Sequence, residues 1–145
     1  MTREGFSLFA AFRCAGRGII DTAHERNFHI EFACMLLCIA LGFGFGINPY
    51  EWLAVVVCFG LVLGGECLNS SIEAIVDLAS PEHHELARKS KDAAAGGVLL
   101  FSLASLVVGL IIFAPRILCL LGLMSGAFVK EFYGNQSKHY RSKDV

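Results

Sequence analysis

Three long apolar stretches limit the fold of this chain more than any other feature. Residues 28–47 form the first, and about 20 apolar residues in a row are what a helix needs to cross a bilayer. The second begins at Trp52, a residue type favoured at the membrane interface, and the third covers 93–114. Since 55% of the residues are hydrophobic and only 17% are charged, lipid must cover part of the surface. We therefore predict an all-α membrane protein with three transmembrane helices.

The segment ahead of the first span, residues 1–27, mixes apolar and basic side chains. It is neither long enough nor apolar enough to insert, so we predict an amphipathic helix lying on the inner membrane surface. Basic residues predict the orientation, because loops rich in Lys and Arg stay in the cytoplasm. Three of them, Arg13, Arg17 and Arg26, precede the first span. The other three, Arg88, Lys89 and Lys91, lie between the second and third spans. We expect the amino terminus and the polar end of the second helix to face the cytoplasm.

Prolines and polar residues mark the predicted ends of the spans. Residues 48–51 predict a short turn between the first two helices, because the position before a proline disfavours helix. Ser80 and Pro81 predict the N-cap and first position of the third helix, with Glu82 in its first turn. Pro115 predicts its end. The chain is thereby divided into three parts. Residues 1–27 form a surface helix, 28–116 form a three-span core, and 117–145 form an apolar segment with a basic tail of unassigned role.

Polar residues continue the second helix beyond the hydrocarbon. Glu66, Asn69, Glu73 and Asp77 are spaced by three, four and four, which places them within an arc of roughly 80° on one helix face. Other charged residues begin the first and third spans: Glu25, Glu31, Lys91 and Asp92. Ionisable groups at the edge of a bilayer are costly, so they are candidates for function. Phosphoryl transfer from ATP needs oxygen ligands for Mg²⁺, a cation for the phosphates and an acceptor for a hydroxyl proton, and these side chains offer all three.

Other interpretations of these residues stay open at this point. A polar stripe at helical spacing is also typical of the solvated face of a helix that leaves the membrane. The protein could instead be a noncatalytic membrane subunit or an ion-conducting bundle whose acids line a cation path. Lys91 argues against a cation path, because a fixed positive charge suits phosphate better. The formal net charge of -1 and the lack of a basic stripe with aromatics indicate no nucleic-acid partner.

The acidic stripe lies within a run that resembles a known family. ECLNSSIEAIVDLASPEHHELARKSKDAAAGGVLL, at 66–100, is similar to the signature of the prokaryotic diacylglycerol kinase and undecaprenol kinase family. That signature reads ExxN, a small pair, IE, three residues and D, with a later KD pair before an Ala/Gly-rich helix. ERNFHIE, at 25–31, resembles the family's start of the first span, and the likeness covers about 5–116 without a gap. Ser70 and Ser71 depart from it, since the family commonly has Thr and Ala there.

The resemblance implies roles for the acidic stripe and its neighbours. By it, Glu66 is the general base for the lipid hydroxyl, and Glu25 and Glu73 bind the Mg²⁺ of Mg-ATP. Asn69 lies near the transferred phosphate, and Lys91 steadies the phosphates. Asp92 is the implied pairing partner of that lysine, and Asp77 lies at the nucleotide end of the stripe. Glu31 is a polar residue near the lipid. Glu66 and Asn69 would also contact the lipid.

The resemblance further implies an activity and an assembly. The expected protein is an inner-membrane lipid kinase that transfers phosphate from ATP to a membrane-dissolved alcohol, working as a homotrimer with active sites shared between neighbours. ERNFHIE and the NPYEWL turn at 48–53 look more like the undecaprenol kinase branch, with diacylglycerol as the alternative acceptor. GFGFG at 42–46 does not match a phosphate-binding loop and indicates helix packing.

Overall fold

The chain folds into four helices, described by a computed structural model for residues 7–80, 82 and 84–123. They are α1 (Leu8–Thr22), α2 (Arg26–Phe45), α3 (Pro49–Ala79) and α4 (Glu85–Leu120), and the described residues contain no strand. The last three helices are long and apolar enough to cross a membrane. The predicted all-α architecture with three spans is confirmed, and the chain is a multi-pass membrane protein.

Helix α1 has the composition of a helix that lies along a membrane surface. Its large apolar side chains are exposed, among them Phe9 and Phe12, and its Arg13 and Arg17 are exposed as well. The helix packs against α3 and ends at Thr22, whose hydroxyl donates to the Gly18 carbonyl at 3.0 Å. An amphipathic helix is therefore present within the predicted 1–27 segment, and its contact with the membrane stays a prediction.

A tight connection joins α2 to α3. Helix α2 ends at Phe45, and its C-cap is Gly46, whose φ of 60° is a conformation that glycine adopts without strain. Asn48 then caps α3: its side chain accepts from the backbone N–H of Glu51 at 3.0 Å, and Glu51 Oε2 accepts from the Asn48 N–H at 2.8 Å. Pro49 is already helical, because its fixed φ suits the first turn. The predicted turn at 48–51 is thus shorter than expected, since its last three residues belong to α3.

The buried core lies at this end of the bundle, away from the acidic stripe. It consists of Ile47, Val55, Ile112 and Phe113. The ring of Trp52 packs beside Phe43, with ring centroids 4.9 Å apart, and over Gly42. A Cβ on Gly42 would lie 2.8 Å from the Trp52 ring, so only glycine allows this packing.

The start of α4 differs from the prediction. Ser80 is the C-cap of α3 and not an N-cap, because α3 continues to Ala79. The N-cap of α4 is His84, whose Nδ1 accepts from the backbone N–H of Leu86 at 3.2 Å. Glu82 therefore precedes the helix, and Glu85 is the acid of its first turn. Pro81 and His83 lie outside the described residues.

The end of α4 also differs from the prediction. The helix continues through Pro115 to Leu120, so the proline does not terminate it. The side chain of Arg116 folds back to donate to the Ile112 carbonyl and reaches Glu51 at the start of α3. These contacts stabilise the helical turn around the proline and offset the backbone hydrogen bond that proline removes. Most of the predicted tail, 124–145, lies outside the described residues.

Candidate functional site

Two polar side chains are buried in the middle of α3. Glu66 is 1% exposed and Asn69 is 5% exposed, although much of the surrounding helix surface is apolar and open. They stand one helical turn apart, so both point to the same side of α3. Burying a carboxylate is unfavourable unless it has partners. The position is therefore a candidate site and not a packing core.

Carboxylates from α2 and α3 surround Glu66. Glu25 at the N-cap of α2, Glu31 further along α2, and Glu73 on α3 all lie close enough to repel the Glu66 carboxylate. Acids from two helices therefore meet at Glu66, and the roles that the resemblance implies for them stay predictions. Like charges at this density favour a bound cation or a shared hydrogen-bond donor.

Three buried oxygens in this cluster lack a hydrogen-bond partner among the described residues. They are Glu31 Oε2, Glu66 Oε1 and Asn69 Oδ1. The nitrogen of the Asn69 amide fixes the orientation of the side chain, since Nδ2 donates to Glu73 Oε1 at 3.0 Å. Buried polar atoms without partners are rare, because each forgoes a hydrogen bond to water. All three are acceptors, so the missing partner is a hydroxyl, another N–H or O–H donor, or a cation.

A groove of about 400 Å³ runs between α1 and α3 beside this cluster. Small side chains on both helices leave the space open: Ala15, Gly18, Ser70, Ser71 and Ala74. Asp21 and Glu25 place carboxylates at its wall. Its volume lies within the range of small-molecule binding sites. The groove therefore reaches the acidic cluster at Glu25, from the side of the surface helix.

Lys91 joins the acidic stripe from α4. Its Nζ lies 2.5 Å from Asp77 Oδ1 on α3, about 16 Å along the helix axis from Glu66. Asp92 instead pairs with Arg88 at 2.6 Å on the exposed surface of α4. The expected Lys91 to Asp92 pairing is wrong, because consecutive residues on a helix point in different directions. The structure thus brings Lys91 to the stripe at Asp77, whereas Asp92 points to Arg88 on the exposed side of α4.

The donor set fits a magnesium ion held together with a nucleotide. Among the described residues, no group of three or more His, Cys, Asp or Glu side chains is arranged to hold a metal ion alone. Mg²⁺ commonly uses one or two carboxylates together with phosphate oxygens and water. Glu25 and Glu73, both close to Glu66, supply such carboxylates.

Sequence reasoning missed one contact of the cluster. The side chain of Asn27, the second residue of α2, lies close to the Glu66 carboxylate. Asn27 lies within the ERNFHIE segment but follows no spacing rule that would pair it with α3. Only the packing of α2 on α3 reveals this contact.

Known proteins match the chain over most of its length. Residues 13–113 match the sequence model of the family described as prokaryotic diacylglycerol kinase. The chain is similar to the undecaprenol kinase of Bacillus subtilis, with 41% identity over 110 residues that cover 75% of this chain and 89% of that protein. It is 34% identical to the diacylglycerol kinase of Synechocystis sp. over 122 residues, which cover 79% and 67% of the two chains. It is 29% identical to the Escherichia coli K12 diacylglycerol kinase over 84 residues, which cover 58% and 69%.

The matched span contains the acidic cluster. The family match includes Glu25, Glu66 and Glu73 and ends at Phe113, close to the end of the third span. It leaves out the first five residues of α1, 8–12, and everything beyond Phe113. The chain therefore belongs to the prokaryotic diacylglycerol kinase family.

Proposed function

We propose that this protein is a membrane lipid kinase that transfers the γ-phosphoryl group of ATP to the hydroxyl of undecaprenol, with diacylglycerol as the alternative acceptor. The observation that supports this most directly is Glu66, a buried carboxylate on a membrane-spanning helix whose Oε1 has no partner among the described residues. A lipid hydroxyl is a donor that arrives from the membrane, and it would fill that position. A noncatalytic subunit or a cation path finds less support, since the family and the relatives reported above are named as kinases.

The chemical step follows from the placement of Glu66. Its carboxylate accepts the proton of the lipid hydroxyl while the hydroxyl oxygen attacks the γ-phosphorus of ATP. The bond from that phosphorus to the bridging oxygen breaks, which yields ADP and the lipid phosphate. Holding both reactants at one site removes much of the entropic barrier to their meeting. Asn69, one turn away, would hydrogen-bond near the transferred phosphate and the lipid head group.

The nucleotide end of the site extends along the stripe. Glu25 and Glu73 would hold Mg²⁺, which neutralises charge on the phosphates during transfer. The Asn69 amide steadies Glu73 through its 3.0 Å hydrogen bond. Lys91 supplies a positive charge for the phosphates, and Asp77 holds it on the stripe. Asp92 contributes to this end only through its ion pair with Arg88.

The preference for undecaprenol has two supports. The undecaprenol kinase of Bacillus subtilis is 41% identical, against 34% and 29% for the two diacylglycerol kinases reported above. The 25–31 and 48–53 segments also resemble that branch. Glu31, whose Oε2 is buried without a partner among the described residues, would meet the lipid head group.

We further propose a homotrimer in the inner membrane with the site on the cytoplasmic side. The positive-inside rule supports this side, because Arg88, Lys89 and Lys91 stand at the start of α4 near the stripe. Helices α2, α3 and α4 each expose large apolar side chains, which lipid and neighbouring subunits would cover.

A transfer assay with purified protein tests the proposed function. The protein is embedded in phospholipid, supplied with undecaprenol and diacylglycerol in competition, and given radiolabelled ATP and Mg²⁺. Label should appear in undecaprenyl phosphate, and Glu66→Gln should lower the rate by about 10²- to 10⁴-fold, the contribution of a positioned base. Glu85→Gln makes the same chemical change at an exposed residue and should leave the rate unchanged. Absence of transfer to either lipid by the wild type would refute the kinase proposal.

A further inference from the structure

One side of α1 faces α3, and the rest of its surface is open. Ala15, Gly18 and Thr22 line the groove between the two helices, which fixes the side that α1 turns toward the protein. At about 100° per residue, these three positions lie within an arc of about 60°. The other positions on α1 are left for water or lipid.

An apolar sector lies next to the groove side of α1. It consists of Phe9, Phe12 and Ile20, which are 78%, 76% and 61% exposed. The helical period places them within an arc of about 80°. Residues 23–25 alone separate α1 from α2, which is long and apolar enough to cross a membrane. The apolar sector therefore lies close to lipid, and its burial there is favourable.

Two arginines border the apolar sector on the edge away from the groove. Arg13 and Arg17 are exposed and one turn apart, about 20° and 60° beyond Ile20 by the same helical period. Neither forms an ion pair among the described residues, although Asp21 follows Arg17 by one turn. An arginine at the edge of an apolar helix face keeps its stem against acyl chains and its guanidinium among the head groups.

The chemistry of the two guanidinium groups selects the head group. Their planar N–H donors match the oxygens of a phosphate. Two positive charges without partners also favour a head group of net negative charge over a zwitterionic one, because basic residues beside a membrane are attracted to its negative surface potential.

We propose that α1 is a binding surface for acidic phospholipid, with Arg13 and Arg17 holding the head-group phosphates and acyl chains covering the apolar sector. The proposal goes beyond the proposed function, because it assigns a ligand to the side of α1 that faces away from the groove. No part of it requires phosphoryl transfer.

Hydrogen exchange of the α1 amides in the full-length protein tests the proposal. The protein is placed in nanodiscs of phosphatidylcholine alone, or of phosphatidylcholine with about a third of phosphatidylglycerol as the acidic lipid. Exchange within α1 should slow by about fivefold or more in the acidic membrane, since each basic residue held at such a surface contributes about that factor. The difference should shrink as the salt concentration rises, because ions screen exposed charges.

Three double variants identify the groups responsible. Arg13→Gln with Arg17→Gln should abolish the difference between the two membranes while exchanging like the wild type in phosphatidylcholine, because glutamine forms helix about as well as arginine. Arg13→Lys with Arg17→Lys keeps both charges and should retain most of the slowing. Arg88→Gln with Lys89→Gln removes two charges from exposed positions of α4 and should leave the slowing of α1 unchanged.

Other results overturn the proposal. Equal slowing in the wild type and in the glutamine variant of α1 would do so, as would a wild type whose α1 exchanges alike in both membranes. If ATP or inorganic phosphate slowed α1 in phosphatidylcholine as much as the acidic lipid does, the arginines would bind a free phosphate group and the proposal would be wrong. The measurement needs no kinase activity, so failure of the proposed function would leave its result standing.

Discussion

Arg116 Nη2 lies 2.9 Å from both carboxylate oxygens of Glu51, and the pair joins the start of α3 to α4 beyond Pro115. The two side chains are only 11% and 12% exposed. Glu51 also closes the capping box with Asn48, so one carboxylate holds the α2 to α3 connection and the end of α4 together. This contact lies at the end of the bundle opposite the acidic stripe and shapes the fold without touching the site.

Arg116→Ala should destabilise the protein by about 3–5 kcal/mol, because it leaves the Glu51 charge buried without its partner. The matched control is Arg88→Ala, which breaks the exposed pair with Asp92. That pair is open to solvent, and its two residues lie one turn apart on the same helix. Breaking it should therefore lower the stability much less than Arg116→Ala does. Thermal unfolding in detergent micelles measures both. Equal decreases in unfolding temperature for the two variants would contradict a structural role for the ion pair between Glu51 and Arg116.

Gly65→Ala should destabilise the contact between α3 and α4 by about 1–3 kcal/mol, the range for overpacking. A Cβ at Gly65 would lie 2.8 Å from the Phe101 ring, beside the buried Glu66. Gly64→Ala is the control, since a Cβ there meets nothing within 4 Å and alanine favours helix. Unfolding temperatures of the two variants give the comparison. A greater decrease in unfolding temperature for Gly64→Ala than for Gly65→Ala would show that another surface, such as a second subunit, covers that face of α3.

Lys91→Met should raise KM for ATP about tenfold or more, because it removes the positive charge assigned to the phosphates. Kinetic titration of ATP at saturating lipid measures this change. Lys89→Met removes a charge from a more exposed position nearby and should leave KM within about twofold. If both variants gave the same increase, the effect would come from general electrostatics of the α4 start and not from the Asp77 to Lys91 contact.

Glu73→Gln should raise the Mg²⁺ concentration needed for half-maximal activity by at least about tenfold, on the scale known for groups that support a bound metal. Glutamine can keep the hydrogen bond to Asn69 but loses the charge that attracts the cation. Glu25→Gln should act in the same direction, and Glu85→Gln should not. An unchanged Mg²⁺ requirement in both test variants would remove the metal-binding assignment.

The three spans and the acidic stripe could be predicted from the residues alone. Length and apolarity decide which segments cross a bilayer, and both are properties of a continuous stretch of chain. The shared face of Glu66, Asn69 and Glu73 likewise follows from the helical period, because the backbone within one helix fixes how its side chains are arranged. The part-buried hydrogen bond between Asn69 and Glu73 is an example of such a local contact.

Contacts between helices could not be predicted in this way. Lys91 pairs with Asp77 and not with its neighbour in sequence, Asn27 meets Glu66 from another helix, and Arg116 reaches across 65 residues to Glu51. Helix ends were also misjudged at Ser80 and Pro115, because each end depends on partners outside its own segment. Spacing along one helix is set by bonded geometry, whereas the meeting of two helices depends on how their side chains pack, which no single stretch of residues contains.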